Sequence, residues 1–271
     1  MLRRGLTWNT LVGMTNTPLL TRDLKAAVSG GRLEVVYQPI FRLDDWSDIT
    51  SRPVAVEALS RWNHSVMGSV SPVRFIPLAE RAEFLEELDR LVLAAALAQL
   101  REWHQAGHVI GLSVNASPSH FASEYVDAVL ERADGLGSPG ELTVEIIEAP
   151  SPQLIPDMNG ALTRLREAGV VISVDDFGGG DTTLEMLEML PIDEVKIDRT
   201  LTQRTDAEAD DAVRAVVERG RANGWRTVAE GIETIAHLER SRDRGCDRGQ
   251  GFLLGRPTTP DGIERMLRRA G

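Results

Sequence analysis

Val54-Ala55-Val56-Glu57-Ala58-Leu59, followed closely by Arg61-Trp62, is a short apolar run that leads into a carboxylate. The same pattern recurs along the chain. Ile110-Gly111-Leu112-Ser113-Val114 ends on Asn115, Leu142-Thr143-Val144 on Glu145, and Val170-Val171-Ile172-Ser173-Val174 on Asp175-Asp176. Glu194-Val195 leads to Lys196-Ile197-Asp198, and Thr227-Val228-Ala229 ends on Glu230. β-rich runs with acids at one end, separated by helix-like segments, predict an α/β barrel of parallel strands with its chemistry at the C-terminal rim.

Outward from these runs, Leu33 to Gln38 reads as the first strand, stopped by Pro39. The segment from there to the second strand, Pro53 to Ala58, is short and rich in Asp, Ser and Pro. A parallel crossover needs a dozen or more residues and usually a helix, so the first two strands are expected to pair antiparallel. Ser71-Pro72 is a helix start, and one long helix is expected from about Ile76 to His104, with Leu88, Leu91, Val92, Ala95 and Ala98 facing the barrel. Further helices are expected at Thr21–Val28, Glu124–Ala133, Asp157–Ala168, Thr182 to Pro191, Asp206–Asn223, around Ile235, and from Asp261. Val213, Val216 and Val217 should point inward. The eighth strand is read as Gly249–Leu254, with Gln250 near its start. Residues 1–20 are read as a short N-terminal arm and 21–271 as one barrel domain.

The 271-residue length suits a single α/β barrel, which typically takes ~250 residues. A hydrophobic content of 42% supports a sizeable core, and a formal charge of -11 argues against non-specific nucleic-acid binding, which needs clustered Lys and Arg. An anionic substrate would depend on bound cations or a few placed basic residues. The one cysteine, Cys246, permits no intramolecular disulfide and is read as buried filler in a reducing, cytoplasmic setting. No apolar run approaches the ~20 residues of a membrane span, and the basic start Met1-Leu2-Arg3-Arg4 is not followed by a signal-peptide core.

Glu57, Glu145, Asp175 and Asp176 with the Asn115 amide form an oxygen-only donor set, the kind that hard cations such as Mg²⁺ or Mn²⁺ prefer. Clustered carboxylates repel one another, and two divalent ions would offset that charge and clamp a phosphodiester. Adjacent Asp175 and Asp176 would face opposite ways in a continuing strand; a strand ending before Phe177-Gly178-Gly179-Gly180 lets both turn inward. Lys196 reads either as an ion-pair partner of one acid or as the group that positions the attacking water. Glu230 reads either as a cap of the next helix or as a rim acid. The barrel and acids alone also fit another Mg²⁺-dependent barrel enzyme, such as an enolase-like lyase.

The ordered motifs narrow this. Tyr37-Gln38-Pro39-Ile40, Glu57-Ala58-Leu59 with Arg61-Trp62, Phe75-Ile76-Pro77-Leu78-Ala79-Glu80 and Ser113-Val114-Asn115 are followed by Glu145-Ile146-Ile147-Glu148 and Asp175-Asp176-Phe177-Gly178. Lys196-Ile197-Asp198-Arg199, Ala229-Glu230-Gly231-Ile232-Glu233-Thr234 and Gln250-Gly251-Phe252 complete the set. In this order, from about Thr21 to Pro257, the chain resembles the EAL-domain cyclic-di-GMP phosphodiesterases. The resemblance implies a (β/α)₈ TIM-like barrel whose first strand is antiparallel, and hydrolysis of cyclic di-GMP to linear 5′-pGpG with Mg²⁺ or Mn²⁺ in bacterial signalling. It implies metal ligation by Glu57, Asn115, Glu145, Asp175 and Asp176, with Glu57, Lys196 and Glu230 catalytic. It further implies substrate or supporting roles for Gln38, Arg61, Asp198 and Gln250, a loop-anchoring role for Glu148, a homodimer, and a possible regulatory protein partner.

Two departures bear on function. The family's Glu-Ile-Thr-Glu is Glu145-Ile146-Ile147-Glu148 here, and its Gly-Thr-Gly-Tyr-Ser-Ser-Leu loop is Gly178 to Leu184, reading Gly-Gly-Gly-Asp-Thr-Thr-Leu. The altered loop supports an alternative in which the domain is a catalytically weak or inactive cyclic-di-GMP receptor or protein-interaction module.

Overall fold

The strand that carries Glu57 is longer than its apolar run: in the computed structural model it spans Ala55–His64. The structure describes residues 17–48, 51–122, 124–134, 136, 142–147 and 155–269. Two compact units emerge, Met1–Glu34 with Ser60–Val92 and Val35–Leu59 with Leu93–Gly271.

The larger unit holds a closed eight-stranded barrel. Its strands are β1 (Glu34–Arg42), β2 (Ala55–His64, with residues 55–59 in this unit), β4 (Gly111–Ala116), β5 (Leu142–Ile146), β6 (Val171–Phe177), β7 (Glu194–Ile197), β8 (Arg226–Ala229) and β9 (Arg248–Gly249). They are ordered β1-β9-β8-β7-β6-β5-β4-β2, and β1 pairs with β2 to close the ring. The pairs from β2–β4 round to β8–β9 are parallel, whereas β1 runs antiparallel to β9. This is the TIM-like barrel with an antiparallel first strand that the short first connection predicts. The buried strand faces read as near-continuous apolar runs, as expected where helices cover a parallel sheet. Inside the barrel Ile40, Ala55 and Val228 form a small buried cluster.

Pro39 does not end β1. Tyr37 exchanges backbone hydrogen bonds with Thr258, Phe41 and Arg42 pair with β9, and Pro39 falls between these contacts, where the ladder asks no N–H of it. The eighth strand is shorter than the predicted Gly249–Leu254. After Gly249 the chain turns, with Leu254 and Gly255 N–H groups both donating to the Gly251 carbonyl.

In the smaller unit, helix Thr17–Ser29 begins four residues before its predicted start. Trp62, Asn63 and His64 of β2 pair antiparallel with β3 (Gly68–Val70). The long helix expected from Ile76 is two helices, Pro72–Arg81 and Leu85–Gln105. Glu83 sits between them with φ 57°, while Phe84 N–H donates to Ala79 O and Glu83 N–H to Glu80 O. This is a Schellman closure with Glu where Gly is usual, and the buried Phe84 supplies its hydrophobic contact.

The buried stripe of Leu85–Gln105 also differs from expectation. Leu88 and Val92 are buried, but Leu91 is half-buried and Ala95 and Ala98 are exposed. Leu93, Ala96, Leu97, Leu100 and Trp103 form the inward face instead, because Leu and Trp remove far more apolar area from water than Ala. Helix Ala207–Asn223 follows expectation: Asp206 caps it by accepting from Ala209 N–H at 3.2 Å, and Val213, Val216 and Val217 are buried.

Candidate active site at the barrel rim

The strand register brings the acids together. Glu57 pairs in register with Ser113, Asn115 with Glu145, and Glu145 with Ser173, two residues before Asp175. Alternation along each strand then points Glu57, Asn115, Glu145 and Asp175 to the barrel interior. β6 solves the problem of two adjacent acids with an irregularity between Val174 and Phe177. Asp176 adopts φ 57° there, and its N–H donates to Asp175 Oδ1 at 3.0 Å. Oxygens of Asp175, Asp176 and Glu230 consequently lie within 4.8 Å of one another.

Lys196 is the hub. Its ammonium, 1% exposed, lies 2.8 Å from Glu230 Oε1, 2.9 Å from Glu145 Oε2, 3.3 Å from Asp175 Oδ1 and 3.4 Å from Glu57 Oε2. Glu57 is fixed further by Asn115 Nδ2, which donates to Oε1 at 2.9 Å, and Gln250 Nε2, which donates to Oε2 at 2.6 Å. Glu230 N–H donates to Ile197 O at 3.0 Å, and Thr234, not Glu230, caps the following helix Ile235–Asp243.

One ammonium cannot neutralise five acids. Burial would lower the Lys196 pKa, but the charges of Asp175, Glu145, Glu230 and Glu57 outweigh it and hold the lysine well above its ordinary value. Burial raises Glu57, yet the Lys196 charge and the Gln250, Asn115 and Lys196 hydrogen bonds together hold it below the usual carboxylate range. Burial raises Glu145 well above that range and also raises Asp175, in both cases with Glu57 adding to the rise against the pull of Lys196. Burial pushes Glu230 up to about 8, again against Lys196, with Asp175 and Glu57 adding to it. Glu145 Oε1 and Gln250 Oε1 are buried without a hydrogen-bond partner. A surplus of negative charge, all-oxygen donors and an orphaned buried carboxylate oxygen fit a hard divalent cation of the Mg²⁺ or Mn²⁺ class.

An open cleft of about 290 Å³ adjoins this cluster, lined by Glu57, Asp176, Glu230 and Gln250 together with Gln38, Asp198, Arg199 and Phe252, among others. Gln38 Nε2 donates to Gly255 O at 3.3 Å. Asp198 caps the short helix Arg199–Thr202 by accepting from Thr200 N–H at 2.8 Å, so its carboxylate is partly committed to the backbone. Arg61 belongs to the smaller unit, where its Nη1 donates to Ser60 O at 2.9 Å. Glu148 lies outside the described residues.

The structure adds residues that sequence reasoning did not single out. Arg199 and Phe252 line the cleft, and the Arg256 guanidinium stacks over the Phe252 ring at 4.2 Å. Both lie within motifs already noted, directly after Asp198 and Gly251. Glu194, two residues before Lys196, is 2% exposed and pairs with Arg226 at 3.0 Å and Arg248 at 3.5 Å.

Residues 21–257 match the sequence profile of the EAL domain. The chain belongs to the EAL domain family. It is 35% identical over 258 residues to the cyclic di-GMP phosphodiesterase PA2567 of Pseudomonas aeruginosa, covering 93% of this chain and 43% of that protein. It is 36% identical over 250 residues to the oxygen sensor protein DosP of Escherichia coli, covering 90% of this chain and 31% of that protein. The chain thus spans less than half the length of these curated relatives. Among solved structures, the MucR phosphodiesterase in complex with c-di-GMP superimposes with a TM-score of 0.81 at 34% identity, covering 90% of this chain and 99% of that one. Among the described residues, no helix is long and apolar enough to cross a membrane.

Proposed function

We propose that this EAL domain hydrolyses cyclic di-GMP to linear 5′-pGpG with the help of Mg²⁺ or Mn²⁺. The observation that carries the reading is the Lys196 hub. Four buried or half-buried carboxylates converge on one ammonium at the rim of the barrel, beside a cleft open to a ligand. The relatives' activities and the MucR complex with c-di-GMP support it.

Glu57, Asn115, Glu145, Asp175 and Asp176 would hold the cations. Divalent ions held there would offset the excess negative charge and polarise the phosphodiester. The protein's own groups do the rest. Water attacks phosphorus, the P–O3′ bond breaks, and the water's two protons end on the released 3′-hydroxyl and on a protein base. Glu230 is the proton acceptor of this reading in its ionised form, which the Lys196 ammonium 2.8 Å away and bound cations would favour against the burial that pushes its carboxyl up to about 8. Lys196, held protonated, is a fixed positive charge that orients Glu57, Glu145, Asp175 and Glu230 and is not a base. Gln250 and Asn115 fix the rotamer of Glu57. Arg199 at the cleft wall provides positive charge for a phosphate, and Phe252 with Arg256 an aromatic face for a base.

A second reading, a receptor that binds cyclic di-GMP without turnover, is favoured by Gly178, Gly179, Gly180 and Asp181, an exposed run that replaces the family's loop. The resemblance extends either reading to a homodimer, which light scattering on the purified chain tests. Asp175→Asn separates the two readings. If the protein is the enzyme, wild type turns over cyclic di-GMP with Mg²⁺ or Mn²⁺ and the variant loses turnover while still binding it. Measurable turnover that is equal in wild type and variant would sink the assignment of Asp175, and binding without turnover in wild type would favour the receptor.

A further inference from the structure

The three acids whose oxygens lie within 4.8 Å of one another come from two different rim segments. Asp175 and Asp176 end at Gly178, and Glu230 is followed by Gly231. Ile197 of β7 pairs with Phe177 and with Ala229, and Lys196 bridges Asp175 and Glu230; past these strand ends the two Gly turns are spaced by what packs between them. The short helix Arg199–Thr202, which follows Lys196 on β7, touches both.

On one side, Thr200 Oγ1 donates to Gly178 O at 3.1 Å, and the Leu201 side chain lies over the Gly178 Cα. A Cβ on Gly178 would come within 2.2 Å of Leu201 Cδ1, and the residue has φ 91°. On the other side, a Cβ on Gly231 would come within 2.3 Å of Arg199 Cβ, with φ 65°. Gln203 Nε2 donates to Gly231 O at 2.9 Å. Glycine at both positions lets the backbone approach this closely in a conformation that L side chains rarely adopt.

The far end of the helix is also anchored. Arg244, its side chain 1% exposed, donates through Nη1 to Leu201 O at 3.0 Å and Thr202 O at 3.3 Å, and through Nη2 to Arg204 O at 2.8 Å. Asp210 balances its charge, with Nε donating to Oδ1 at 2.8 Å. One buried guanidinium therefore closes the carbonyl end of the helix and its following turn, a fork of donors that a lysine cannot reproduce.

We propose that the Arg199–Thr202 helix is a strut setting the distance between Asp175–Asp176 and Glu230, and that Gln203 and Arg244 are positioning residues for the divalent cation that Asp175 and Asp176 hold beside Glu230. The inference rests on the metal reading above but not on turnover. Groups that orient ligands without touching the metal commonly change affinity by 10–100-fold.

The test is Mn²⁺ titration of the purified chain, with free Mn²⁺ read by electron paramagnetic resonance, alongside thermal unfolding in chelator. Gln203→Met keeps side-chain length and removes the donor to Gly231. It should keep the chelated melting point near that of wild type yet weaken Mn²⁺ binding by about 10-fold. Arg244→Lys should weaken it as much or more. If Arg244→Lys fails to fold, Gln203→Met alone decides. An Arg166→Ala control, which removes the exposed pair with Asp193 at 2.7 Å, should leave Mn²⁺ affinity at the wild-type value. Wild-type affinity in Gln203→Met would overturn the strut and leave the proposed function standing. No Mn²⁺ uptake by wild type would overturn both.

Discussion

Glu57 accepts from Asn115, Gln250 and Lys196 at once, and Lys196 in turn serves Glu145, Asp175 and Glu230. The lysine is therefore the residue on which the cation-free site most depends. Removing one partner from a buried ionic network leaves uncompensated charge and typically costs 3–5 kcal/mol. Lys196→Met should lower the stability of the chelated protein by about that much, read as a shift in urea midpoint at unchanged slope. Added Mn²⁺ should restore part of the loss. An unshifted midpoint would mean that the acids are neutral and the lysine bystanding.

At the scale of elements, the polar ends of strands are what the sequence displays most clearly. Glu57, Asn115, Glu145, Asp175 and Glu230 each stand at the close of an apolar run, Lys196 follows Glu194-Val195, and the register gathers them. Caps are legible too: Asp206 before Ala207–Asn223 accepts from Ala209 N–H. Asp206→Ala should cost about 1 kcal/mol in chemical unfolding, the usual loss for an N-cap. A cost within experimental error would show that the helix start is fixed by burial of Ala209 and Val213 alone. Less legible were features set by tertiary contacts. Glu83 in a left-handed closure carries no sequence mark because Gly usually fills that place, so two helices read as one. Ala95 and Ala98 share helical spacing with true core residues, and spacing alone cannot tell a small exposed residue from a small buried one. The Gln203 and Arg244 contacts join residues 28 and 43 positions apart, a separation no local pattern encodes.

At the scale of the whole chain, the acid cluster predicts how stability responds to pH. In chelator, Glu230 titrates at about 8 in the folded protein, well above the ordinary carboxylate value of 4.5 that the unfolded chain keeps. A group with a raised folded pKa binds its proton more tightly when folded, so stability falls as pH rises from about 4.5 to about 8. Glu145 and Asp175 shift in the same direction; Glu57 shifts the other way, and its contribution is complete above the ordinary carboxylate range. The chelated protein should thus melt at a lower temperature at pH 8 than at pH 5.5, and Mn²⁺ should flatten the difference. A chelated melting point that climbs over this range would contradict the burial of the cluster. The assignment of these acids to phosphodiester hydrolysis is decided by incubating purified protein with cyclic di-GMP and Mn²⁺ or Mg²⁺, with and without chelator, and resolving the products by chromatography. Linear pGpG should form with metal and disappear with chelator. Intact cyclic di-GMP under every metal condition, with the ligand bound, would contradict it and make the site a receptor.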